Sequence, residues 1–546
     1  MEAPPANRRG LLDCRSEFVT ILVPAIAGMA YALSVYSRIG FAFSWFAMAA
    51  FAFSVRLSKT WAQCRRVGML FGLSFFGIQF DFLRTIEVPG NWLGFGPLTL
   101  FWMVLVLGGA MVWQFCSIAI RWLWHERGYP CFFALPVAVL TVELLVECFA
   151  RFVLKTSGGA CQLALRQVDC PWLLQAAAGG SWTVSWLTAA LIGLGIDNFC
   201  CLPVWCEGTA RRHQIPFAIA FLLMLGLSVC QNKDGWTTAS AAGPRILIVP
   251  AFVSLGDEHT GLKGLVRLAK SAPQFQIAIW PEFAIPTITS TPIANDPLDE
   301  IVSTLKCSAL VGGRRIDPDR LGPLNSAVCV TWPDRRRSFY DKRFLMPGFE
   351  GGHSLLPFQS WFINSGNSFD ESNMYLEGRR PRGALLLPTF TTSKNVVATA
   401  TFGVGICHDI CFAEWGVDWM HMADPPNFFV QIANESDDWT WRIQPLLLAM
   451  ARLRAVETQR TVVRCVRNGL SGVIGPDGRL LQLADRDDHH RPFVTEPIPL
   501  VREIGIGIRI GHIPCLIFAV SLTWIIGCVL RNRRTRSEIE SGTVRI

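Results

Sequence analysis

The sequence predicts a polytopic α-helical membrane domain of about eight spans, each of roughly 17 to 25 residues, joined to an extracytoplasmic α/β domain. Three observations carry that prediction. The chain of 546 residues is 51% hydrophobic and only 17% charged, a balance foreign to an ordinary soluble enzyme. Apolar runs long enough to cross a bilayer recur up to about residue 230 and return once near the C-terminus. Between them the apolar runs shorten to strand length, with Gly and Pro punctuation.

Taken in order, Met1 to Glu17 is short, polar and basic at Arg8, Arg9 and Arg15, and the apolar segment behind it reads as a first anchor rather than a cleaved signal. Candidate spans are Phe18 to Tyr36, Ile39 to Val55, Val67 to Leu83, Leu93 to Ile120, Cys131 to Phe149, Ser181 to Val204 and Ile215 to Cys230, with a last one from Ile513 to Leu530. Twenty Trp and 37 Phe suit both membrane interfaces and apolar cores. The organisation expected is a membrane domain over 1–230 with about seven spans, an α/β domain over 231–512, a helix over 513–530 and a basic cytoplasmic tail over 531–546.

Arginine placement gives the orientation. The N-terminal tail, the loop with Arg56, Lys59, Arg65 and Arg66, the loop with Arg121 and Arg127, that with Arg211 and Arg212, and the cluster Arg531, Arg533, Arg534 and Arg536 belong inside. Arg151, Lys155 and Arg166 fall in a loop that the same rule puts outside. A domain that follows an odd number of spans lies outside the cytoplasm. The net charge of +8 is spread over these loops rather than gathered into one basic, aromatic-interleaved patch, which argues against a nucleic-acid partner.

Within 231–512 the strand-like runs are Ile246 to Val249, Ile277 to Trp280, Ala309 to Gly312, Ala327 to Thr331, Val396 to Ile406 and Phe428 to Ile432, with helical stretches at Leu262 to Ser271 and Pro445 to Gln459. The run ending at Ile406 meets Cys407, His408 and Asp409, so the Cys407 thiol stands at a strand-to-loop corner. Alone it is one cysteine among 18, most of them small packed hydrophobes. Upstream, Glu282 follows one strand-like run in Trp280-Pro281-Glu282, and Lys342 lies in Tyr340-Asp341-Lys342-Arg343. Singly these read as a loop carboxylate and a solvated charge. Jointly, a carboxylate, an ammonium and a thiol are the parts of acyl transfer through a thioester.

The order of these pieces resembles bacterial apolipoprotein N-acyltransferase, the membrane branch of the nitrilase or carbon-nitrogen hydrolase superfamily, over nearly the whole chain. The resemblance rests on Trp280-Pro281-Glu282 with Ala284 and Pro286, on Tyr340 to Arg343, and on Gly405-Ile406-Cys407. It continues in Met450 to Arg460, in Asn468 to Ile474 and, ahead of the sixth span, in Leu174 to Trp182. It implies a nitrilase-like αββα sandwich, with Glu282 as general base, Lys342 as the cation beside the oxyanion, Cys407 as nucleophile and Glu350 as a supporting carboxylate. It further implies a phospholipid acyl donor, an apolipoprotein acceptor, no cofactor, and a bacterial inner membrane with the catalytic domain on the periplasmic side.

Departures from the family pattern bear on substrate. Pro347-Gly348-Phe349-Glu350 inverts the family's Pro-Phe-Gly-Glu and could re-aim Glu350; Cys407-His408-Asp409 replaces Cys-Tyr-Glu; and the loop Asn434 to Trp441 loses a glycine. His408 is either a pH-sensitive neighbour of the thiol or a packing histidine. Phe344, Glu435 and Trp439 are the candidate substrate-binding residues, with Asp409 supporting the site. The apolar segments Phe344 to Met346, Trp415 to Met422 and Pro425 to Phe429 are either a mobile wall admitting acyl chains or core. No metal site is expected, because Cys407, His408 and Cys411 lack further matched ligands. Cys161 and Cys170 are either a disulfide or two thiols. The rival readings are a nitrilase-fold membrane amidohydrolase or acyltransferase with another substrate, for example one associated with conjugation, and a non-enzymatic membrane scaffold.

Overall fold

The computed structural model describes residues 8–85, 97–205, 241–251, 262–271, 274–289, 296–346, 350, 375–381, 383–391, 397–436, 442–484, 491–501, 508–509, 517, 520 and 524. The chain forms two compact units, one of Met1–Phe149, Cys161–Lys233 and Ile510–Ile546, the other of Ala150–Ala160 and Asp234–Arg509.

The first unit is helical: α1 (Arg8–Leu33), α2 (Gly40–Leu57), α3 (Trp61–Gln79), α4 (Pro97–Arg121), α5 (Cys131–Phe149) and, after several short turns, α6 (Ser181–Trp205). Among the described residues, three helices are long and apolar enough to cross a membrane: Gly40–Leu57, Thr99–Glu126 and Cys131–Leu154. The expected span Ile215 to Cys230 lies outside the described residues, as does nearly all of Ile513 to Leu530. Small residues set the packing. A Cβ on Gly68 would stand 2.4 Å from the Trp113 carbonyl oxygen and one on Gly72 2.6 Å from Ala110 Cα, so this Gly-x-x-x-Gly face lets α3 approach α4 closely. The buried Arg166 is satisfied within the unit, donating to the Tyr31 and Gln162 carbonyls and to Gln79 Oε1 at 2.9 to 3.0 Å. Cys161 and Cys170 are free thiols.

The second unit is built on two sheets. One contains β1 (Ile246–Ile248), β2 (Ile277–Ile279), β3 (Ile285–Thr287), β4 (Ser308–Ile316), β5 (Pro323–Val330) and β6 (Arg337–Asp341). The other contains β7 (Leu385–Thr391), β8 (Val397–Ile406), β9 (Phe428–Asn434), β10 (Thr461–Arg467), β11 (Gly472–Ile474) and β12 (Leu480–Leu483). The second sheet runs in order β12-β11-β10-β9-β8-β7; β13 (Phe493–Val494) edges the first, which runs β13-β1-β2-β4-β5-β6 with β3 on β4. The pairs β1-β2, β2-β4, β8-β9 and β9-β10 are parallel.

Strand alternation explains the layering. Ile246, Ile248, Ile277, Ile279, Leu310, Ala327 and Cys329 share one core with Ile406, Val430, Ile432, Val463 and Cys465 of the facing sheet. The intervening residues Leu247, Val249, Ala278, Trp280, Ala309 and Val311 face the other way, onto Leu265 of α7 (Leu262–Ser271) and Leu298, Ile301 and Val302 of α8 (Pro297–Leu305). The other sheet carries α9 (Ala413–Met420) and α10 (Gln444–Thr458). Trp415 and Trp419 of α9 both donate to the Val404 carbonyl, at 2.9 and 3.2 Å. Helix, sheet, sheet, helix is the layer order that the resemblance implies.

For two of the segments left open as wall or core, the large side chains are core. Trp415, Trp419 and Met420 are each 1% exposed and Phe428 and Phe429 are fully buried, because Gly403 and Gly405 leave room on β8 that Phe429 and the two indoles fill.

Candidate active site

Each of the three candidate groups stands just beyond the C-terminal end of a strand. Glu282 follows β2, Lys342 follows β6 and Cys407 follows β8. Lys342 is 1% exposed and its Nζ lies 3.0 Å from Glu282 Oε1 and 2.7 Å from Glu350 Oε2. Asn325 of β5 bridges the same two carboxylates, its Nδ2 donating to Glu282 Oε1 at 2.7 Å and Glu350 Oε1 at 2.6 Å. Main-chain donors complete the carboxylates: Glu282 Oε2 accepts from Asn434 N at 3.0 Å, and Glu350 Oε2, beside Lys342, also accepts from Met346 N at 2.8 Å. Buried charges survive only with partners of this kind.

The electrostatics follow from that geometry. Burial works against the Lys342 ammonium, but the charges of Glu282, Glu350 and Cys407 hold its pKa well above the ordinary range. Burial likewise raises Glu350, yet Lys342 and the amide donors bring it below the usual carboxylate value. Both groups are therefore charged at neutral pH. Burial, then the charge of Glu282, pushes the Cys407 thiol well above its usual pKa against the pull of Lys342. The thiol therefore rests protonated, within the field of the Glu282 carboxylate.

Cys407 itself adopts a left-handed φ of 47°, which a non-glycine residue keeps only when its surroundings enforce it. Asp409 supplies much of that enforcement. Its carboxylate accepts from Ile406 N at 2.9 Å, Phe344 N at 2.9 Å, Arg343 N at 3.3 Å and the Tyr340 hydroxyl at 2.8 Å, tying the lysine loop to the cysteine corner. Burial raises Asp409 to about 6 despite those donors. His408 is bonded through Nε2 to Thr156 Oγ1 at 2.9 Å and lies edge-on to Phe412. Burial, helped by Lys342, lowers it to about 4, so it is a neutral imidazole at physiological pH.

Of the other expected residues, Phe344 stacks on Phe412 with centroids 4.0 Å apart, and Glu435 is buried with its Oε1 3.1 Å from Arg464 Nη2. Trp439 and Pro347 to Phe349 lie outside the described residues. The inverted motif does not keep Glu350 from Lys342. Sequence reasoning missed Asn325, Gln431 and Arg464. The signal was present: Asn325 and Gln431 are lone amides inside apolar strands, and a polar side chain in such a run is buried for a purpose. Among the described residues no cluster of His, Cys, Asp and Glu is disposed to hold a metal.

The carbon-nitrogen hydrolase family model matches residues 250–490. The chain is 25% identical over 406 residues to the apolipoprotein N-acyltransferase of Pseudomonas putida, covering 71% of this chain and 73% of that one. It is 24% identical over 487 residues to that of Chromobacterium violaceum, covering 78% and 86%. With the enzyme of Pseudomonas syringae pv. tomato the identity is 24% over 329 residues, and the match spans 59% of that relative's length. The chain thus carries a carbon-nitrogen hydrolase domain behind an apolar helical region and resembles the apolipoprotein N-acyltransferases, the membrane branch of the nitrilase superfamily.

Proposed function

We propose that the protein is an apolipoprotein N-acyltransferase of a bacterial inner membrane, working through a thioester on Cys407. The observation that carries this reading is the buried Glu282-Lys342-Glu350 cluster whose charges act on a cysteine held at a strand end. In the first half-reaction Glu282 takes the Cys407 proton as sulfur attacks the ester carbonyl of a phospholipid. Lys342 stabilises the oxyanion, an interaction of the type that contributes on the order of 10² to 10³ in rate per donor. The C–O bond breaks, the lysophospholipid alkoxide recovers the proton from Glu282, and the acyl group stays on sulfur.

In the second half-reaction the α-amine of an N-terminal diacylglyceryl-cysteine attacks the thioester. Glu282 accepts the amine's proton, the C–S bond breaks, and the thiolate recovers that proton to leave an amide product and free enzyme. Glu350 and Asn325 hold Glu282 and Lys342 at fixed separation throughout, so little reorganisation accompanies charge development. The chemistry needs no cofactor. Phe344 and Trp439 are proposed to meet the acyl chains or the lipid headgroup, and Glu435 to act through Arg464.

The catalytic domain is proposed to face the periplasm, on the arginine pattern, and to span about 231–512 between membrane segments. A reporter fused at Ser368 tests this: activity outside the cytoplasm supports the placement, and cytoplasmic activity overturns it. The reaction is tested by Cys407→Ala, which should abolish both the acyl-enzyme and N-acylated lipoprotein; undiminished turnover would refute it.

A further inference from the structure

Across the parallel strands β8, β9 and β10, Gly405, Gln431 and Arg464 stand in one row. Alternation turns that row away from the facing sheet and toward the side on which α9 lies, where Trp415 packs against Gly405. Gly405 contributes no side chain, and Gln431 reaches past it: its Nε2 donates to the Cys407 carbonyl at 3.3 Å. Its Oε1 accepts from Arg464 Nη1 at 2.8 Å, which fixes which end of the amide faces the cysteine. Arg464 is anchored in turn by Glu435 Oε1 at 3.1 Å and by the Leu447 and Leu470 carbonyls, both at 3.2 Å. Gln431 and Arg464 are 1% exposed and Glu435 3%.

We infer that Gln431 is a positioning residue for the cysteine chemistry: oriented by the Arg464-Glu435 pair, its amide clamps the peptide after Cys407 and so fixes the direction of the thiol. The inference rests on the proposed role of Cys407 and goes beyond it. The corner needs two restraints, because Cys407 sits at a φ of 47° that its own side chain disfavours. Asp409 holds Ile406 before the cysteine, and Gln431 holds the carbonyl after it. Glu435 on this account does not meet substrate; it neutralises Arg464 and keeps the buried row in register.

The test uses the full-length protein in detergent with two variants. Gln431→Met keeps the volume and removes both hydrogen bonds, whereas Gln431→Glu keeps an acceptor for Arg464 and removes only the donor to Cys407. Two rates are read on the Cys407 peptide by mass spectrometry: acylation from phosphatidylethanolamine vesicles, which requires an aimed thiol, and alkylation by iodoacetamide at high pH, which requires only an accessible one. Both variants should acylate about tenfold more slowly while alkylating within roughly twofold of wild type. Wild-type acylation in both variants would overturn the clamp, as would a Gln431→Glu protein that acylates normally while Gln431→Met does not. A wild-type enzyme that alkylates but never acylates would defeat the proposed function rather than the clamp.

Discussion

Replacing Lys342 by Met removes one cation from between two buried carboxylates and leaves its volume nearly filled. In the native protein Nζ is 3.0 Å from Glu282 and 2.7 Å from Glu350, and the same two groups share the Asn325 amide. At an effective dielectric of about 20, each attraction near 3 Å amounts to about 5 kcal/mol before the cost of desolvation. Removing one member of such a buried set costs about 3 to 5 kcal/mol, because the charges left behind lack compensation. For a domain of this size that corresponds to a fall in Tm of roughly 6 to 15 °C. Glu350, now held low by Lys342 against its burial, will take up a proton. The double variant Lys342→Met with Glu350→Gln removes the excess charge and should recover most of the lost Tm. It should not recover activity, since the oxyanion still lacks its cation. Thermal unfolding in detergent and acyl-enzyme formation, measured on all three proteins, separate the two effects. A Lys342→Met enzyme that unfolds with wild type and acylates at the wild-type rate would refute the reasoning.

Other outcomes are equally definite. Asp409 binds its proton more tightly folded, at about 6, than unfolded, so its ionisation withdraws stability as pH rises from about 4 to 6. In Asp409→Asn that contribution disappears, and Tm of the variant minus Tm of wild type should climb across this window; parallel curves would exclude the assignment. His408 has the opposite sign: with a folded pKa of about 4, its contribution is intact above about 6.5 and is lost as pH falls toward 4. His408→Gln should therefore flatten acid destabilisation over that range, and an unchanged slope would count against a buried neutral imidazole. Gly405→Ala would bring a methyl to 2.8 Å from the Trp415 ring, overpacking worth about 1 to 3 kcal/mol, to be read as a lower Tm and slower Cys407 acylation. An unaffected Tm would show that α9 yields freely.

The fold was readable where letters and burial agree. Val397–Ile406 and Phe428–Asn434 are largely apolar runs, buried on both faces over 402–406 and 428–433, and both were expected as strands within a residue or two. Strand β6, Arg337-Ser338-Phe339-Tyr340-Asp341, carries no such run. Its polar letters are explained by long-range partners: Arg337 pairs with Asp296 at 2.7 Å and Asp341 with Arg315 at 2.7 Å, contacts that no local pattern announces. The same limit applies to the site. Glu282, Lys342 and Cys407 each follow a strand in a distinctive local motif, whereas Asn325 and Gln431 matter through what adjoining strands bring beside them. The aromatic segment from Trp415 stayed open between wall and core in the sequence because glycines on a neighbouring strand, not its own letters, decide that it is buried.

The most direct measurement is the mass of the Cys407 peptide after the full-length enzyme has met phospholipid without any amine acceptor. A thioester-linked acyl group on Cys407, absent in Glu282→Gln and discharged when a diacylglyceryl-cysteine peptide is added, is the result predicted here. An unmodified Cys407 in an enzyme that nevertheless N-acylates that peptide would contradict the account.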